Sequence, residues 1–146
     1  MKRKYVPDLS RQMAICETNY ARIMKLMPDL DRRDVRNFQI SWQNHQAELE
    51  IRVDERFRYT STVVVRHRFA SDLPWLAAPA MVVRLYHDAA MAEVVCLQRK
   101  QLSGAYPYPN RQMHQPDEKN QLNQHLGEWL SECLQHGHCA EPVFSG

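Results

Sequence analysis

The chain has 146 residues, 44% hydrophobic and 25% charged, with four glycines, eight prolines, four cysteines and a formal net charge of +2. That length suits one domain, residues 1–146, able to bury roughly 70% of its unfolded surface, and the composition excludes collagen, low-complexity disorder and a disulfide-stapled miniprotein. No apolar run approaches the ~20 residues of a membrane span, and the polar start MKRKYVPDL lacks the apolar stretch of a signal peptide, so a cytoplasmic protein without membrane contact is expected.

The first element is a helix from about Asp8 to Met27. Leu9, Met13, Cys16, Tyr20, Ile23, Met24 and Met27 recur at three- and four-residue steps and share one face. Asp8 can cap its start, and Pro28 ends it by lacking the next amide donor. The period then becomes two. Ala47, Leu49, Ile51 and Val53 alternate with Gln46, Glu48, Glu50 and Arg52, the pattern of a strand with one buried face. Residues 35–42 supply a partner strand, with Gln43-Asn44 in the turn. Residues 57–69, FRYTSTVVVRHRF, are rich in β-branched and aromatic types and read as one long strand. Pro74 and Pro79 bracket a loop.

Residues 81–87 and 91–97 form an antiparallel hairpin turning at Asp88-Ala89 or Ala89-Ala90. A second loop follows, centred on SGAYPYPN. The last element is a helix from about Pro116 to Gln135, with Leu122, Leu126, Trp129, Leu130, Cys133 and Leu134 on one stripe. Pro116 suits its first turn, Asp117 and Glu118 its positive dipole end, and Gly137 the residue past its end. An α+β fold follows: an N-terminal helix, an antiparallel sheet of about five strands and a C-terminal helix, with both helices on one sheet face.

Charge is uneven. Residues 1–36 hold nine Lys/Arg against five Asp/Glu, and residues 80–146 hold five against seven. A basic front end can meet an acidic partner or nucleic acid, but Arg32, Arg33 and Arg36 alternate with Asp31 and Asp34, as on a solvated surface. On the sheet's wet face, Arg52, Arg58, Arg66, Arg68 and Arg84 accompany Thr60, Thr62 and Tyr86. Arginines with hydroxyls and an aromatic suit phosphate or a single-stranded base, which makes a nucleotide or RNA a candidate ligand. Alternatively, Glu48, Glu50 and Glu93 neutralise them across strands, with Arg84 opposite Glu93 if the turn is Asp88-Ala89.

Cys16, Cys96, Cys133 and Cys139 form no C-x-x-C pair, and reduced thiols are expected. CLQHGHC, residues 133–139, holds zinc-type ligands, but four ligands from one helix end would strain the chelate, and Cys133 belongs to the buried stripe. No metal or cofactor is therefore expected. No nucleophile elbow, zincin motif, Walker loop or dinucleotide fingerprint occurs.

The densest polar cluster joins Arg84, Tyr86, His87 and Asp88 at the hairpin tip to Tyr108, Asn110, His114 and Asp117 before the last helix. These eight are the candidate binding residues, expected to share one pocket or ridge. Tyr106, Pro107, Tyr108 and Pro109 add a rigid aromatic patch suited to a protein partner. The favoured function is a non-enzymatic binding or adaptor protein with an unidentified protein partner. A small hydrolase using His87, His114 and Asp117 as acid and base is the catalytic alternative. A purely structural network, with Asp and Asn side chains satisfying loop amides, is the architectural one.

VRLYHDAAMAEV (83–94), YPNRQMHQPDEKNQLNQHLGEWL (108–130) and YVPDLSRQMAICETNY (5–20) resemble a proteobacterial family of uncharacterised proteins, the YqiB-like proteins. The resemblance spans nearly the whole chain but brings no catalytic residue with it. Family members tend to be encoded near a nucleotide-pyrophosphate hydrolase and a cyclic-nucleotide phosphodiesterase, which implies a link to nucleotide metabolism. Cys133, His136 and Gly137 fit the family pattern, whereas His138 and Cys139 depart from it, which argues against zinc as a shared function.

Overall fold

A computed structural model describes residues 9–69, 78–98 and 116–139. Helix α1 (Leu9–Leu26) leads into a meander of β1 (Val35–Trp42), β2 (His45–Arg56), β3 (Thr60–Phe69), β4 (Ala80–Tyr86) and β5 (Met91–Gln98). Helix α2 (Pro116–His136) follows and passes directly into β6 (Gly137–Cys139). The strands form one antiparallel sheet in the order β5-β4-β3-β2-β1-β6. The fold is the expected α+β, with a sixth strand beyond the five legible in the sequence. That strand pairs Gly137, His138 and Cys139 with Ile40, Gln39 and Phe38, so it satisfies backbone groups along the β1 edge.

Local chemistry explains the junctions. Gln43 and Asn44 adopt φ of 48° and 67° between the paired Trp42 and His45, the two-residue turn whose twist matches the strands it joins. After α1, the Arg36 guanidinium donates to the Leu26 carbonyl at 3.2 Å and to the Asp29 carboxylate at 3.2 Å, while Arg33 donates to the same carboxylate at 3.1 Å. These arginines of the basic front end are thus partly spent on closing the helix end. Burial raises the Asp29 carboxyl, but hydrogen bonds from Arg33 and the backbone, with the charges of Arg36 and Arg33, outweigh it and hold the group below its ordinary value.

The core forms between one sheet face and the two helices. Leu49, Ile51, Val63, Val65, Met81, Val83, Leu85 and Val94 meet Ile23 and Met27 of the α1 end and Leu126, Trp129 and Leu130 of α2. Trp129 anchors α2 by stacking on His67 of β3, with centroids 5.0 Å apart. The helical stripes are narrower than their periodicity predicts. Leu9 and Met13 are 68% and 51% exposed, and Leu134 is 38% exposed. Asn19 and Asn123 are buried instead. The Asn19 amide donates to the Asn123 carbonyl at 2.9 Å, and the Asn123 side chain accepts the Val94 N–H at 2.9 Å. A polar pair thus joins the helices and satisfies an amide of edge strand β5. No helix among the described residues is long and apolar enough to cross a membrane.

Candidate functional site

The β4–β5 hairpin sets the geometry. Tyr86 pairs with Met91 and Arg84 with Glu93, so the connection 87–90 centres on Asp88-Ala89, and Ala90 takes a φ of 54° to close it. The register places Arg84 opposite Glu93, as that choice of turn requires. Arg84 and Asp88 are exposed, while Tyr86 and His87 are half-buried. Glu93 accepts the Tyr86 hydroxyl at 3.3 Å and pairs with Lys119 of α2 at 2.7 Å.

His87 ties three elements together. Its Nδ1 lies 2.9 Å from the Tyr20 hydroxyl of α1, and its Nε2 lies 2.8 Å from Ser61 Oγ of β3. Its backbone N–H donates to the Tyr59 carbonyl at 2.9 Å. In a neutral imidazole one ring nitrogen donates and the other accepts, and two hydroxyls can serve either tautomer. Burial raises the Tyr20 phenol, which favours its hydrogen-bonding neutral form. A serine hydroxyl at that distance from an imidazole has the spacing of a nucleophile and its base. Yet Ser61 is only 3% exposed, and the second nitrogen is engaged by Tyr20. A substrate carbon has no open route to that hydroxyl. The arrangement holds the hairpin tip against α1 and β3.

The bond to Tyr59 brings a second loop alongside the tip. Phe57 through Tyr59, read from sequence as the start of a strand, instead form the β2–β3 turn, closed by the Phe57 N–H donating to the Thr60 carbonyl at 2.7 Å. Phe57 is 60% and Tyr59 57% exposed. The Arg58 guanidinium sits over the Tyr59 ring, 5.3 Å from its centroid, in cation–π contact. One end of the sheet therefore presents Phe57, Arg58 and Tyr59 beside Arg84, Tyr86 and Asp88. Aromatic abundance in 57–69 was visible in the sequence. Which of those rings lay in a turn was not.

Tyr108, Asn110 and His114 lie outside the described residues. Asp117 falls in the first turn of α2, and its side chain is likewise outside them.

Three arginines of the wet sheet face, Arg52, Arg66 and Arg68, are matched, whereas the Glu93 that lies opposite Arg84 is taken by Lys119. Arg68 pairs with Glu48 at 2.7 Å, and Glu50 takes Arg52 at 3.3 Å and Arg66 at 3.8 Å. Charge matched in this way offers little net attraction for phosphate. Arg58 is absent from that row because it belongs to the turn. Within CLQHGHC, Cys133 is buried in the core, and its thiol is pushed up to about 12 by burial and then by Glu132, far from the thiolate that zinc takes. His136 stacks on Trp42 at 5.4 Å, and His138 and Cys139 occupy successive strand positions on opposite sheet faces. Among the described residues, no three His, Cys, Asp or Glu side chains cluster to hold a metal. The four thiols are free.

Comparison with known proteins gives one consistent result. Residues 22–139 match the model of a family described as "Protein of unknown function (DUF1249)". The chain is 38% identical over 143 residues to the "Uncharacterized protein YqiB" of Escherichia coli strain K12, covering 97% of this chain and 99% of the relative. The YqiB proteins of Escherichia coli O6:H1 and O157:H7 match to the same extent. No solved structure matches significantly.

Proposed function

Since the chain belongs to the YqiB-like DUF1249 family, whose description names no activity, we propose from the geometry that it is a non-catalytic protein-binding domain. Its contact surface is the end of the sheet where the β2–β3 turn adjoins the β4–β5 tip. One observation carries this: two aromatic rings more than half exposed, with an arginine stacked on one of them, on a turn held rigid by backbone hydrogen bonds. Exposed aromatics and arginine are the residue types that protein interfaces concentrate, and a fixed loop loses little entropy on binding. Arg84, Tyr86, His87 and Asp88 supply the polar rim. The Lys119–Glu93 ion pair fixes the start of α2 beside the hairpin, and Tyr108, Asn110, His114 and Asp117 stay candidates on their sequence alone. The proposed residence is the cytoplasm.

Affinity capture tests the assignment. A partner retained by the wild-type chain is expected to be lost with Phe57→Ser and Tyr59→Ser and kept with Gln39→Ala on β1. Equal recovery by folded Phe57→Ser and Tyr59→Ser variants removes this surface from consideration.

A further inference from the structure

Away from the hairpin end, α1 and α2 enclose a groove of about 580 Å³ between their outward faces. The helices approach closely at Gly127, where an added Cβ would come within 2.9 Å of Arg22 Nη1 and 3.0 Å of Asn19 Oδ1. The α1 side of the groove carries Arg11 and Arg22, the α2 side Glu128 and Glu132, and Ile15 contributes apolar surface between them. Trp42, 44% exposed and stacked on His136, also lines it.

The two sides are opposite in sign. A simple anion is repelled by the glutamates and a simple cation by the arginines. An occupant that gains from both must carry a negative edge toward α1 and a positive edge toward α2. A second copy of this chain carries both edges at the matching spacing. A two-fold axis running along the groove lays each helix over the other helix of the partner and keeps residues at the same level along it. Arg22 is level with Gly127 in the present chain, so that operation brings the partner's Arg22 beside Glu128 and, by symmetry, Arg22 beside the partner's Glu128. Among the described residues, neither Glu128 nor Glu132 pairs with a lysine or arginine; the imidazoles nearest them are His125 at 3.2 Å and His67 at 3.6 Å. We propose that the α1–α2 face is a homodimer interface in which the arginine side of each chain meets the glutamate side of its partner.

The expected strength follows from size and chemistry. Helices of 18 and 21 residues are about 27 and 31 Å long and together present a face on the order of 500 Å². That is below the roughly 800 Å² per partner of a standard stable interface, so the dimer is weak and salt-sensitive.

Sedimentation equilibrium from about 1 μM to 1 mM chain, at low salt and at about 0.5 M salt, reads this directly. The expected result is self-association in the micromolar range that weakens as salt rises. Arg22→Glu and Glu128→Arg should each weaken it about tenfold or more, because like charges then face each other twice per dimer. Mixing the two variants in equal amounts should restore association as a heterodimer. Arg22 also donates to Asn19, so if Arg22→Glu does not fold, Arg22→Gln, which keeps an amide donor, takes its place and should still weaken association, though less than the charge reversal. A chain monomeric across the whole range overturns the proposal. So does a dimer that neither reversal weakens, or a mixture of folded variants that stays dissociated.

Discussion

The phenolic oxygen of Tyr20 lies 2.9 Å from Nδ1 of His87, linking α1 to a hairpin tip 67 residues further along the chain. The other ring nitrogen of His87 meets Ser61, so a single imidazole bridges a helix, a central strand and the turn beside the exposed aromatics. Tyr20→Phe removes one hydroxyl and should cost about 1 kcal/mol in urea unfolding, whereas His87→Ala leaves two polar groups without their partner and should cost about 1–3 kcal/mol. A double-mutant cycle between positions 20 and 87 should return a coupling of at least about 0.5 kcal/mol. Additive effects would mean that the hydroxyl and the imidazole do not interact.

Gly137 is fixed by a close approach. A Cβ there would lie 2.5 Å from the Cys133 carbonyl oxygen, a backbone atom that cannot swing aside. Gly137→Ala should therefore destabilise the chain by about 1–3 kcal/mol, although the same change in an open helix interior is favourable. Amide exchange should quicken at residues 137–139 and at Phe38 and Ile40, their β1 partners. A neutral or stabilising effect would show that α2 and β6 do not join as described.

Most of the fold was legible because its elements are locally consistent. Pro28 and Pro116 bound the helices, the Gln43-Asn44 turn suits its positive φ values, and alternation in 45–53 sets the buried face. Other features required tertiary knowledge. Phe57 and Tyr59 have strong strand propensity, but propensity does not reveal that no neighbouring strand pairs with them. Three residues as short as Gly137–Cys139 carry no period, and they form a strand because the β1 edge needs partners. Asn19 and Asn123 look like surface residues in a polar helix pattern, yet each is buried by a contact with the other helix. Of the eight expected site residues, the hairpin four gather at the tip. Their assignment to binding now rests on a turn that sequence patterning had placed in a strand.

Asn123 makes a further test of the helix junction. Its side chain accepts from Val94 and donates to the Lys119 carbonyl at 3.1 Å. Asn123→Leu leaves the Val94 amide buried without an acceptor and should cost about 1–3 kcal/mol. The loss is checked by thermal unfolding, with Gln121→Leu on the exposed side of the same helix as the comparison. Equal effects at the two positions would deny Asn123 its role at the β5 edge.

Acid stability should report on Asp29. Its carboxyl sits below the ordinary value of 3.8, so the folded chain takes up that proton less readily than the unfolded chain. The contribution is therefore full above the ordinary value and fades as pH falls through the lower folded one. Asp29→Asn should cost on the order of 1 kcal/mol at neutral pH after allowance for solvent screening, and it should flatten the acid limb of the stability curve. Parallel acid limbs for wild type and variant would assign the acid sensitivity to other carboxylates.

Cys133 should behave as a core residue. With its thiol pushed up from 9.0 to about 12, folding keeps the proton, and this contribution is complete below pH 9 and declines as pH rises from 9 toward 12. In native protein at pH 8, alkylation with mass-spectrometric mapping should leave Cys133 unmodified until the chain unfolds. Rapid labelling of Cys133 in the folded chain would contradict its burial.

The proposed binding surface is tested most directly by site-specific photo-crosslinking in living cells. A benzoylphenylalanine placed at position 57, and separately at position 59, should capture one and the same protein, and Tyr86→Ala should reduce that product. The same probe at Gln39, exposed on β1 at the opposite side of the sheet order from the hairpin, should not capture it. Products equally abundant from positions 39, 57 and 59, or no specific product from 57 and 59 in a folded and expressed chain, would contradict a contact surface at the Phe57–Tyr59 turn.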